Sequence, residues 1–319
     1  MDELERRIRD ANPHAVRRTD PLGERATREL AVLLAEPRAP RVPRWRTPLL
    51  ISSAAAALVI AIALAASVLA PRAAVAAPPL LEAAPVSASA HAVLERLAMN
   101  ARTDSAARPS GLIVAETWSA DVTAAARSVF VQPREVVRSR AADLAGEITV
   151  YAGEVRWGSV PAGYRAPSPG TELERQTFAA GEFPLLFEQA PPDSATELAA
   201  YVAAHLGTDR STTAGDLFRA IADLRNEWAL TGPQTAAVLE LVNGLPGVTV
   251  AGEVTDRLGR TGVAIATETR GDGAFRDLLV FDRQTGALLS AEQVYLGGIP
   301  GIDLDSPTVL DYTAWKDTP

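Results

Sequence analysis

Cysteine is absent from this chain, histidine occurs only three times and methionine twice. The first absence excludes disulfide frameworks, cysteine-ligated zinc, iron–sulfur clusters and thiol catalysis. The scarcity of histidine leaves His14, His91 and His205 as the whole supply for imidazole chemistry. His91 falls in the first turns of one predicted helix and His205 in the last turn of another, where an imidazole suits the helix dipole. There is no Walker A loop, no G-x-G-x-x-G after a strand, no H-E-x-x-H and no G-x-S-x-G. Asp303 and Asp305 supply two carboxylates where calcium needs six or more oxygens, so they read as a solvated loop. The sequence therefore predicts no enzyme, no catalytic residue, no cofactor and no metal site.

Charge is missing most conspicuously between Arg46 and Arg72. Those 25 residues carry none, and Leu49 to Ala70 consists of ten Leu, Ile or Val, nine Ala and three Ser. At 1.5 Å per residue a helix of this length spans about 33 Å, enough to cross a hydrocarbon core of about 30 Å. A soluble helix of that length ordinarily shows a polar face, and this stretch has none. Ala74-Val75-Ala76 matches a signal-peptidase pattern, so cleavage there stays open, although 46 residues precede the apolar run. The predicted organisation is a cytoplasmic arm over 1–46, a transmembrane helix over 47–71, a linker over 72–86 and an exported domain over 87–319.

Orientation follows from Arg38, Arg41, Arg44 and Arg46, which crowd the N-terminal flank and face Arg72 alone on the other side. The positive-inside rule then places the N-terminus in the cytoplasm and the C-terminal domain outside it. The 31 basic and 39 acidic side chains divide the same way. Residues 1–46 hold 11 basic and 8 acidic side chains, a net of +3, and residues 73–319 hold 19 and 31, a net of −12. So acidic an exported region argues against both nucleic acid and anionic lipid headgroups as partners.

The arm contains two short helical patterns, and Pro37, Pro40 and Pro43 break the chain after the second. Leu22, Leu30, Leu33 and Leu34 fall broadly on one face of that second pattern. Two such helices bury too little to fold alone, because ordering each residue costs about 1–2 kcal/mol. The arm is either a solvated tether or a segment that folds on a cytosolic protein through these leucines.

Beyond the span, residues 87–101 read as a helix with Val93, Leu94, Leu97 and Ala101 on one side. Strand-rich stretches follow at 111–122, 129–138 and 147–157, then a loop from Gly158 to Gly170 with three prolines and three glycines. Ser194 to Glu197 reads as a capping box opening a helix to Leu206, with further helices over 213–229 and 233–243. The last third alternates, with turns at Asp256–Gly259, Gly271–Gly273 and Asp282–Gly286, and Thr308–Trp315 reads as an edge strand. Strands joined by such short turns must be antiparallel, so the domain is α+β, an antiparallel sheet curved under covering helices. Such a sheet can enclose a cavity for an apolar ligand.

Several segments carry a resemblance. They are Met1-Asp-Glu-Leu-Glu-Arg6 with Asp10-Ala-Asn-Pro13, Ala214-Gly-Asp-Leu-Phe218, Leu245-Pro-Gly-Val-Thr-Val250, Gly252 through Val263, and Phe281 through Leu289. Together with the Arg-rich flank and Ala-rich span, they resemble a family of actinobacterial single-pass membrane proteins of largely unknown function. Many of these are encoded beside extracytoplasmic-function sigma factors. The resemblance implies an ectodomain similar to the curved sheet-and-helix fold of lipoprotein carriers and sigma-regulatory sensors. It also implies an arm that touches a cytosolic sigma factor, as in an anti-sigma-like regulator. The competing expectation is a membrane-tethered extracytoplasmic binding module for a lipid or peptide, with the arm as anchor only.

Overall fold

The computed structural model describes residues 76–104, 111–120, 130–206, 212–299 and 304–317. The chain divides between Ala70 and Pro71, and the described residues all belong to the second unit. The predicted span over Leu49 to Ala70, the leucines at 22, 30, 33 and 34 and the arginines at 38, 41, 44 and 46 lie outside them. Among the described residues, no helix is long and apolar enough to cross a membrane.

Residues 76–86, in the stretch read as a linker, run as a strap along the sheet. Ala84 and Glu253 exchange two main-chain hydrogen bonds of 2.8 Å. Helix α1 (Ala90–Thr103) follows, opened by the Ser89 side chain accepting from the Ala92 N–H and burying Val93, Leu94, Leu97, Ala98 and Ala101. The next strands are β1 (Leu112–Ser119), β2 (Phe130–Val131), β3 (Arg134–Arg140), β4 (Gly146–Ala152), β5 (Trp157–Gly158) and β6 (Glu172–Phe178). Three helices come next: α2 (Ala195–Leu206), α3 (Ala214–Glu227) and α4 (Gly232–Asn243). Reciprocal capping boxes start α3 at Thr213 with Asp216 and α4 at Thr231 with Gln234. The meander β7 (Val248–Thr255), β8 (Thr261–Arg270), β9 (Phe275–Phe281) and β10 (Leu288–Tyr295) precedes the last strand, β11 (Thr308–Trp315).

Nine strands form one antiparallel sheet in the order β6-β4-β3-β1-β11-β10-β9-β8-β7, and β2 pairs with β5 separately. The α+β reading holds, with two corrections. First, β11 is a central strand rather than an edge. It pairs with β10 on one side and β1 on the other, joining the two halves of the sheet. Its burial explains the position, because Val309, Tyr312, Ala314 and Trp315 are all inside. Second, the sheet is open, with β6 and β7 as edges, and does not curl around the helices. Apolar layers lie on both faces, so no single face demands wrapping. One core packs Leu94, Leu97, Phe218, Ile221, Leu224 and Leu239 from the helices onto Ile265, Leu279 and Trp315. The other gathers Trp118, Val254, Leu278, Val280 and Tyr312 on the opposite face, beneath Ala76, Ala77, Leu81 and Trp157.

Strand β6 has no counterpart in the sequence reading. Its residues Glu172 to Thr177 are exposed, so no apolar alternation marks it.

Candidate functional site

Among the concavities of the described residues, two lie beside helices α1 and α3. The first is a groove of about 380 Å³ between the strap, α1 and strand β8. Val86, Val93, Leu97 and Val263 give it apolar walls, and Arg96, Arg283 and Glu253 stand among its lining residues. Each wall is fixed by local chemistry. The strap is pinned through Ala84, and Asn100 of α1 donates to the Arg283 carbonyl at 2.9 Å. Arg283 reaches Glu253 at 3.1 Å. Arg96 is exposed and makes no ion pair among the described residues. The residues leading into α1, Ser87 and Ala88, and Ala92 in its first turn also line the groove. The volume of the groove lies in the ordinary range for small-molecule sites.

The second concavity is a polar cleft of about 190 Å³ under α3. Its walls include Arg219, Asp223 and Asn226 from the helix and Thr117, Asp277, Asp311 and Thr313 from the sheet. Arg219 holds both oxygens of Asp311 at 2.8 Å, and Arg270 holds Asp277 at 2.7 and 3.1 Å. Burial pushes both carboxyls above the usual aspartate range even though each faces a guanidinium. Burial alone would lower Arg219, but Asp311, Asp223 and Asp277 together raise it. Arg138, nearby on β3, is lowered because burial outweighs Glu227 and Asp223. Every deeply buried acid of the cleft is thus committed to an arginine. The arrangement clamps α3 to the sheet.

The opposite face carries a second set of ion pairs. Arg257 and Glu292 are almost fully buried and meet at 2.7 and 2.8 Å. Arg156 grips Glu116 with two bonds of 2.7 Å, and Glu116 also accepts from the Tyr312 hydroxyl at 3.0 Å. Burial first, and then Glu116, drive the Tyr312 hydroxyl upward. Burial likewise raises Glu292 despite Arg257. The sequence marked Asp256–Gly259 only as a turn. Its arginine turns inward onto Glu292 of β10, 35 residues away, which no local pattern reveals.

His91 sits exposed on α1, 3.1 Å from Asn243 Oδ1 and 3.1 Å from Glu95. His205 ends α2 with its ring 4.5 Å from that of Phe187. Neither lines the groove or the cleft. Asp305 accepts from Thr308 through its main-chain oxygen at 2.6 Å, while Asp303 lies outside the described residues. Among the described residues there is no group of three or more His, Asp or Glu that could hold a metal ion.

No protein-family model matches the chain, and no curated protein matches it. Among solved structures, the MucA/MucB complex of Pseudomonas aeruginosa aligns at 13% identity and a TM-score of 0.25. That alignment covers 71% of this chain and 55% of the other, so the chain spans about half the length of its match. The dehydratase domain from the CurF module of curacin polyketide synthase aligns at 12% identity and a TM-score of 0.13, covering 75% and 85%. Both scores are too low to indicate a shared fold.

Proposed function

We propose that the chain is a non-enzymatic, single-pass membrane regulator with a cytoplasmic N-terminal arm and an extracytoplasmic α+β unit. The observation that carries the reading is the uncharged stretch between Arg46 and Arg72, which divides a net +3 arm from a net −12 unit. An intervening helix of that composition belongs in a bilayer. The α+β unit then receives a signal outside, and the arm presents Leu22, Leu30, Leu33 and Leu34 to a partner inside. The identification of that partner as a sigma factor rests on the sequence resemblance.

Crosslinking pull-down from native membranes tests this, comparing the full chain with a chain lacking residues 2–37. Recovery of a sigma factor only with the full chain supports the regulator. Equal recovery of partners by both contradicts it.

The groove beside α1 favours a second reading, a tethered module that binds an amphiphile or peptide while the arm merely anchors. Replacing Leu30, Leu33 and Leu34 together by Asp abolishes function under the first reading and is silent under the second.

A further inference from the structure

The two edges of the sheet are treated differently by the fold. Edge strand β7 is partly covered, because Ala84 of the strap exchanges two main-chain hydrogen bonds of 2.8 Å with Glu253. The strap comes so close that a Cβ on Gly252 would stand 2.5 Å from the Ala84 carbonyl oxygen. Edge strand β6 has no such cover. It pairs with β4 on one side only, so alternate main-chain N–H and C=O groups point away from the sheet. Among the described residues these outward groups have no main-chain partner. The side chains from Glu172 to Thr177 are exposed as well.

Charge decides what such an edge admits. Arg175 donates to Glu172 at 2.5 and 3.1 Å and to Glu147 of β4 at 2.5 Å, so one guanidinium serves two carboxylates. Glu174 is met only by the Gln176 amide among the described residues. Three carboxylates against one guanidinium leave this edge at a net of −2, within a region of net charge −12. Exposed edges bearing charge turn away apolar strands and strands of like sign. The same charges favour an extended segment that brings Lys or Arg. At one end of the strand Leu173, 43% exposed, lines a concavity of about 520 Å³ together with Tyr164 and Pro167, which offers a place for an apolar side chain of that segment.

We propose that β6 takes up an extended basic peptide segment as a tenth strand, paired through main-chain hydrogen bonds and selected by Glu147, Glu172 and Glu174. Every residue involved lies within the α+β unit, so the proposal does not depend on the membrane-anchored reading. A second copy of β6 suits the edge less well. Antiparallel self-pairing centred on Arg175 or on Glu174 sets like charges directly opposite each other.

Hydrogen exchange read by mass spectrometry tests this on the full chain in a neutral detergent. The probes are three capped hexapeptides, of alternating lysine and valine, alternating glutamate and valine, and alternating lysine and proline. The third keeps the charge of the first and cannot form a strand ladder. The lysine–valine peptide should slow exchange across residues 172–178 and leave β7 unchanged, and the other two should do neither. Glu174→Lys should raise the peptide concentration needed roughly threefold to tenfold, with unaltered exchange in β7 showing that the variant is folded. Equal protection by the lysine–proline peptide overturns the proposal, because charge alone would then suffice. Protection by the glutamate–valine peptide, or by none of the three, overturns it too. So does protection of 172–178 that grows with protein concentration in the absence of peptide, which would mark a second copy on the edge.

Discussion

Gly286 closes the turn from β9 to β10 at φ +69°, and a Cβ there would stand 2.4 Å from the Leu97 carbonyl oxygen of α1. The turn itself is tied by Asp282, whose Oδ1 accepts from the Gln284 and Thr285 N–H groups at 2.9 and 2.7 Å. Gly286→Ala therefore adds backbone strain to a clash with main chain, which cannot rotate away. It should cost about 2–3 kcal/mol, measured by urea unfolding. Arg257 and Glu292 make a different kind of test, because each neutralises a charge that water cannot reach. Arg257→Met strands Glu292 and should cost about 3–5 kcal/mol, whereas Arg257→Met with Glu292→Leu should recover most of it. A double variant as unstable as the single would show that the arginine contributes chiefly through its stacking on Trp157 and Tyr312.

Among elements, those with strong periodicity were legible from the residues. Helix α1 was marked by Val93, Leu94, Leu97 and Ala101, and β10 by its run from Leu288 to Tyr295. Strand β6 was not, because its edge position leaves Glu172, Glu174, Arg175 and Gln176 in solvent and removes the apolar alternation. Strand β11 was seen but misplaced, since its composition says that it is buried and not which strands flank it. The same limit hid the clamp under α3, where Arg219 and Asp311 lie 92 residues apart and meet only once β11 is central. That clamp has a pH signature. Folding raises the Asp277 carboxyl, so the folded state holds its proton more tightly than the unfolded chain. Its contribution is fullest below the unfolded aspartate value of about 3.9 and is lost as the pH rises through the raised folded value. Wild type should gain stability relative to Asp277→Asn as the pH falls from 7 toward about 4. A gap that shrinks over that range would mean that Arg270, not burial, dominates at this site.

For the whole molecule, the sequence predicts a position and names no ligand. A charge-free run and a row of arginines are one-dimensional signals, whereas the groove beside α1 needs Val86, Val93 and Val263 brought together from three separate segments. The proposed arrangement is arm inside, one span and α+β unit outside. Because the chain has no cysteine, that arrangement can be read directly. Thr19→Cys in the arm and Gln284→Cys in the unit would each be exposed to a membrane-impermeant maleimide on intact cells expressing the full chain. The account predicts labelling at position 284 in intact cells and at position 19 only after permeabilisation. Labelling of both sites only after permeabilisation, or of position 19 in intact cells, would contradict it.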